Sequence, residues 1–198
     1  MKISILFSSI LLICSCAQNK SNQVAVFNQT VPKIFTLKSS KEITNKNDTV
    51  LLNGGKYSGY LFELHTNNSD TLLIQSYVSG LQSGNDKKWF ANKNISEDRE
   101  YSSGKKNGKQ IAFWDNGKKR FEFTANNDAY EGEMKEWNFE GKLIHLANYK
   151  NGQEEGTQRL WYDNGKIRAN YVILNGKRYG LLGTKNCRNV SDSIFIIK

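Results

Sequence analysis

The chain has 198 residues, with 28 Lys and Arg against 19 Asp and Glu for a net charge of +9, and only 38% hydrophobic residues, below the roughly 45–50% of ordinary globular domains. One Pro and sixteen Gly exclude collagen and proline-rich linkers, and 12% aromatic residues are too many for a disordered chain of low hydrophobicity. No internal run reaches the ~20 apolar residues of a spanning helix, which excludes a polytopic protein of such helices.

The amino terminus carries a targeting pattern. Met1-Lys2 is followed by an apolar run from Ile3 to Ile13 broken only by Ser4, Ser8 and Ser9, the charged start and short hydrophobic stretch of a secretory signal. The run ends in Leu12-Ile13-Cys14-Ser15-Cys16, which resembles the bacterial lipobox. Cleavage before Cys14 would put bulky Ile13 where a small side chain is needed, whereas cleavage before Cys16 puts Ser15 there. Residues 1–15 are therefore expected to be a lipoprotein signal peptide and Cys16 the lipidated residue, each buried CH₂ of its acyl chains contributing about 0.8 kcal/mol of membrane affinity. The lipobox resemblance implies a periplasm-facing chain, and Ala17, in place of Asp, permits sorting to the outer membrane of a two-membrane bacterium.

Ala17 to Gln23 is small and polar, a flexible tether. Residues 16–50 thus divide into lipidated Cys, tether and a possible N-terminal cap, in which Val24 to Leu37 with Val50 to Leu52 cover the first hairpin. With Cys14 removed and Cys16 acylated, Cys187 is left as a free thiol without an internal disulfide partner. It is either a small packed residue or a reactive one.

Residues 51–183 are organised by a repeat. Gly84, Gly108, Gly132, Gly156 and Gly180 follow one another at 24 residues without a slip, and a second series runs through Gly80, Gly104, Asp128, Gly152 and Gly176. Trp89, Phe113, Trp137 and Trp161 keep the same step, as do Tyr77, Tyr101 and Tyr149 with Ala125 and Ile173 as departures. Asn107-Gly108, Asn151-Gly152 and Asn175-Gly176 predict hairpin turns at one end of each unit, because both residues tolerate the positive φ of a type I′ turn. Asp115-Asn116-Gly117 and Asp163-Asn164-Gly165 predict turns at the other end. Each 24-mer is then two strands. Leu143, His145, Ala147 and Tyr149 share one face, as do Ile167, Ala169, Tyr171 and Ile173, while strict alternation assigns Arg168, Asn170, Arg120, Glu122 and Thr124 to the wetter face.

The pattern Tyr-x-x-Gly-x-x-x-Gly-x-x-x-x-Trp followed by Asn-Gly-Lys, clearest from Tyr149 to Lys166 and from Gly104 to Lys118, resembles the MORN-repeat family in its bacterial variant. The resemblance covers roughly Gly55 to Gly183. It implies an all-β fold, an elongated single-layer antiparallel sheet of stacked β-hairpin repeats. Asp128, Ala125 and Phe139-Glu140 depart from the pattern and are expected to weaken the central unit. Such arrays are stabilised by nearest-neighbour stacking and need capped ends. Residues 184–198, with the apolar run Ile194 to Ile197, are expected to form the C-terminal capping strand.

Catalytic and metal-ligating patterns are not found. His65 and His145 fall in different repeats without a His or Cys partner at ligand spacing. Glu131, Glu133, Glu136, Glu154 and Glu155 lie on a lysine-rich surface where solvated charges are the ordinary state. Neither an enzyme nor a cofactor, a metal or a small-molecule substrate is expected. The candidate binding surface is the aromatic stripe of Trp89, Trp137, Trp161, Tyr101 and Tyr149, which is either the core of a chain poor in aliphatic residues or a platform for a ligand.

The charge selects no partner. Of the 28 cationic residues 22 are Lys, scattered among many Asn, whereas phosphate recognition of fixed geometry favours Arg forks, so nucleic-acid binding is not expected. The sequence is best described as a membrane-anchored lipoprotein whose noncatalytic repeat sheet binds or scaffolds an unidentified envelope protein. The family resemblance leaves two alternatives, an antitoxin-like component of a toxin-antitoxin pair and direct lipid-headgroup binding. A secreted chain would not meet a cytoplasmic toxin.

Overall fold

The computed structural model describes residues 30–67 and 69–183, and among them there are sixteen strands and no helix. The expected signal peptide, lipidated Cys16, tether and C-terminal cap, and Cys187, lie outside the described residues. The repeat region begins with β5 (Gly59–Leu64), β6 (Thr71–Val78), the two-residue β7 (Leu81–Gln82) and β8 (Gly84–Trp89). It continues as hairpins through β9 (Ile95–Ser102), β10 (Lys105–Phe113), β11 (Lys119–Asn126), β12 (Ala129–Trp137), β13 (Leu143–Lys150), β14 (Gln153–Trp161), β15 (Ile167–Leu174) and β16 (Lys177–Leu181). These strands pair antiparallel in chain order, with β7 on a side branch against β6, and β1 (Phe35–Leu37) adds a parallel edge against β5 to complete a 13-stranded sheet. A separate antiparallel sheet consists of β2 (Ile43–Lys46), β3 (Thr49–Leu52) and β4 (Gly55–Lys56). The single layer expected from the repeats is thus accompanied by a small second sheet, and one pairing is parallel.

One margin of the sheet is built from turns with two consecutive positive φ values, at Ser79-Gly80, Ser103-Gly104, Asn127-Asp128, Asn151-Gly152 and Asn175-Gly176. Type I′ turns match the right-handed twist of the strands they join. Asp128 preserves its turn rather than weakening it. Its N–H donates to the Lys106 carbonyl at 3.0 Å and its carboxylate accepts the Lys106 N–H at 2.8 Å, so the side chain ties one repeat to the previous one. The opposite margin repeats a single loop at 90–94, 114–118, 138–142 and 162–166. In each the first N–H donates to the last carbonyl, as in Asn138 to Lys142 at 3.0 Å, and Phe139-Glu140 is accommodated without change.

Asn107-Gly108 is not a turn. It lies inside β10, four residues beyond the Ser103-Gly104 turn. There residues 107–109 stand opposite Glu100 alone, and in β14 residues 155–157 stand opposite Asn148 alone, so the Gly108 and Gly156 positions mark β-bulges. Gly108 has φ +102, and a Cβ there would run into the Glu100 side chain. The sequence signal is the same for both sites because turn and bulge both need positive φ.

Each bulge opens a gap in the ladder that a buried side chain fills. Gln110 and Gln158 are both 0% exposed, and their Nε2 groups donate to the carbonyls of Glu100 at 2.7 Å and Asn148 at 2.8 Å. Met134 occupies the equivalent place in β12 and supplies volume without a donor. Gln158→Met therefore keeps the fold and lowers stability by about 1 kcal/mol, the net value of one hydrogen bond, as read from the urea midpoint.

Most of the buried hydrophobic residues fall in three clusters. Val50, Tyr57, Leu61 and Tyr77 join the small sheet to the first hairpin, with Ile43 and Leu52 packed against them. Phe123, Ala125, Met134 and Ala147 form the middle cluster with Phe121 and Tyr149, and Ala169, Tyr171 and Ile173 form the last with Leu160. Between the first two the interior turns polar, with Asp86 and Gln110 buried.

Candidate binding cleft

The five aromatic positions singled out in the sequence form two rows. Trp89, Trp137 and Trp161 close β8, β12 and β14 beside the loop margin, whereas Tyr101 and Tyr149 stand opposite Gly84 and Gly132 toward the turn margin. Trp89 pairs with Ile95, six residues from Tyr101 in the same strand, which separates the rows by about 20 Å at ~3.3 Å per residue. All five are half-buried. They do not make one continuous platform.

A smaller constellation does come together on β10 to β13. An open cleft of about 340 Å³ is lined by Trp114, Phe121, Tyr130 and Trp137, with Arg120, Glu136 and Ile144 among its polar and aliphatic walls. The Trp114 indole N–H donates to the Trp137 carbonyl at 3.1 Å, and Phe139 meets the Trp114 ring edge-on at 5.9 Å. Phe123 lies 4.4 Å from Tyr130, which stacks on Tyr149 at 4.9 Å, so the ring ladder continues from the cleft into the middle core cluster.

A second series of bulges builds this cleft. Ala112 pairs with Phe121 but Phe113 pairs with Lys119, which leaves Arg120 as the extra residue, and Ile144 is extra in the same way between the partners of Glu136 and Trp137. Leu72, Ser96 and Arg168 hold this place in the other hairpins, again 24 residues apart. The bulge corrects the strict alternation that assigned Arg120 to the wetter face. Arg120 and Phe121 line the cleft together, and the guanidinium lies 5.3 Å from the Trp114 ring centre and 5.6 Å from that of Phe121.

Glu136 lines the same cleft as Arg120 and is oriented by His145, whose Nδ1 lies 3.2 Å from its Oε2. That hydrogen bond holds the Glu136 carboxyl below its ordinary value, with the charges of His145 and Arg120 acting in the same direction against desolvation. The cleft thus presents flat apolar rings, a fork of N–H donors and an ionised acceptor. The step through Leu72, Ser96, Arg120, Ile144 and Arg168 keeps no single residue type, so the cleft is visible only from the pairing register.

Residues 130–151 and 154–171 match the family model described as the MORN repeat variant. The hairpins from β12 to β15 are therefore similar to MORN repeats, and the same 24-residue step carries through the hairpins on either side. No curated protein matches the chain. Among solved structures, a mutant of S. aureus TarM crystallised with Fondaparinux, alpha-GlcNAc-glycerol and UDP aligns at 18% identity over 56% of this chain, with a TM-score of 0.33. The chain spans about a fifth of that protein, 21% of its length.

Proposed function

We propose that this chain is a noncatalytic binding or scaffolding module, held at a membrane by lipid on Cys16 and engaging a protein of the bacterial envelope. The observation that supports this reading most is the regular open sheet. Hairpins at a fixed step present the same face again every two strands, about 10 Å along the sheet, a geometry suited to an extended or repetitive partner. MORN-type repeats in β12 to β15 fit such a role, and Leu12 to Cys16 supplies the anchor.

The anchor is tested by incorporation of radiolabelled palmitate in a bacterial host. The label is expected on the wild-type chain and absent from Cys16→Ala; label retained by the variant would remove the lipid from the proposal. Affinity capture from solubilised membranes tests the partner. Recovery of an envelope protein is the expected result, and recovery of a cytoplasmic toxin alone would overturn the compartment.

A further inference from the structure

We infer that the cleft on β10 to β13 is a subsite for a neutral saccharide, a ligand class that goes beyond the scaffolding reading and does not depend on the anchor. Its volume of about 340 Å³ stands at the small end of ligand sites, which run from ~300 to ~1,000 Å³. Trp114, Phe121 and Trp137 line it, with Arg120 lying over Trp114 and Phe121, Arg99 over Phe121 and Lys119 over Trp137, and the ring surface left to the cleft is of the kind that the C–H face of a pyranose ring covers.

The polar groups specify the charge of the ligand. Arg120 is a planar fork of donors laid against Trp114 and Phe121, and no carboxylate among the described residues forms an ion pair with it. Glu136 faces the same space as an ionised acceptor that His145 engages at Oε2. An anionic ligand would be opposed by Glu136 and a cationic one by Arg120. Hydroxyl groups, each both donor and acceptor, satisfy the two together without a net charge.

An extended peptide fits less well. The cleft lies in mid-sheet, where β11 and β12 are paired on both sides and offer no free strand edge to peptide backbone. Recognition there must come from side chains and ring faces, which is what a saccharide uses.

The test is a fluorescence titration of the full chain with cellotetraose, maltotetraose and chitotetraose, and with tetragalacturonate as the charged control. At least one neutral probe is expected to give a saturable change. Trp137→Ala and Arg120→Met each weaken it roughly tenfold, while Trp161→Ala, outside the cleft, leaves it within about twofold. Circular dichroism shows whether each variant folds. Should Trp137→Ala unfold, the exposed Arg120 position decides through Arg120→Met alone. The inference is overturned if no neutral probe changes the spectrum, if Arg120→Met binds as the wild type does, if Trp161→Ala weakens binding as much as a folded Trp137→Ala does, or if tetragalacturonate binds most tightly.

Discussion

Gly80→Ala lowers unfolding stability by about 2–4 kcal/mol and Gly165→Ala by only about 1 kcal/mol, when both are measured by urea denaturation. The two glycines have nearly the same backbone, φ +82 and φ +81, so the intrinsic cost of a left-handed alanine is common to both. Their surroundings differ. Gly165 has nothing within 4 Å of an added Cβ, whereas at Gly80 that atom would lie 2.8 Å from the Val50 carbonyl and against the Thr49 side chain. The neighbouring backbone is poorly placed to yield, because the Val50 N–H donates to the Gly80 carbonyl at 2.8 Å and the Gly80 N–H donates to the Tyr57 carbonyl at 2.6 Å. Gly80 is thus the seam at which the three-stranded sheet is tied to the first hairpin, and Val50, Tyr57 and Tyr77 are buried behind it. Equal losses in the two variants would show that the seam gives way freely.

The 24-residue step made the hairpin sheet legible because each turn chemistry recurs where the twist of the strands requires it. Gly104 and Gly108 show where that legibility ends. Four residues apart and both at positive φ, one closes a turn and the other relaxes a bulge, and only the register of β9 against β10 separates them. Arg120 was misplaced for the same reason, since alternation assumes an unbroken ladder. Gln110 and Gln158 were not recognised as interior residues, although each stands two positions after a repeating glycine, because their burial depends on a carbonyl left free on the partner strand. The small sheet of β2 to β4 and the parallel β1 carry no period and are only two to four residues long, too short for a pattern to emerge. Trp137, expected from the sequence as part of a candidate binding surface, lines the cleft beside Trp114, which the sequence pattern does not single out because its indole reaches the Trp137 carbonyl only through the loop geometry.

Asp86→Asn and Asp86→Ala both remove one buried carboxyl and differ in the acceptor that only Asn keeps for the Ser76 N–H. Strands β6 and β8 pair only at Leu73 with Lys88 and Ile74 with Lys87, and beyond that point the Ser76 N–H has Asp86 as its acceptor, at 2.9 Å. Ser76 is 1% exposed, so Asp86→Ala strands that N–H away from water and removes the acceptor used by the Gln75 and Gln82 amides. The expected loss is about 1–3 kcal/mol at low pH, where the wild-type carboxyl is protonated, and it shrinks as pH rises because Asp86→Ala also removes the titrating group. Burial pushes the Asp86 carboxyl above its ordinary value, outweighing the hydrogen bonds from the Ser76 backbone, Gln82, Gln75 and the Ser76 hydroxyl. Between the ordinary carboxyl value of 3.8 and the raised one, the unfolded carboxyl has released its proton while the folded one retains it. Stability contributed by this group is therefore full below that window, falls as pH rises through it and is level above. Asp86→Asn keeps an acceptor for Ser76 and removes the slope, so its stability relative to wild type improves from pH 3.5 to pH 7. Shifts shared by all variants, such as the lowered carboxyls of Glu97 and Glu136, cancel in that difference. A difference that did not change with pH would mean that the fold holds Asp86 charged as readily as water does, and that its role at the gap between β6 and β8 is that of an acceptor alone.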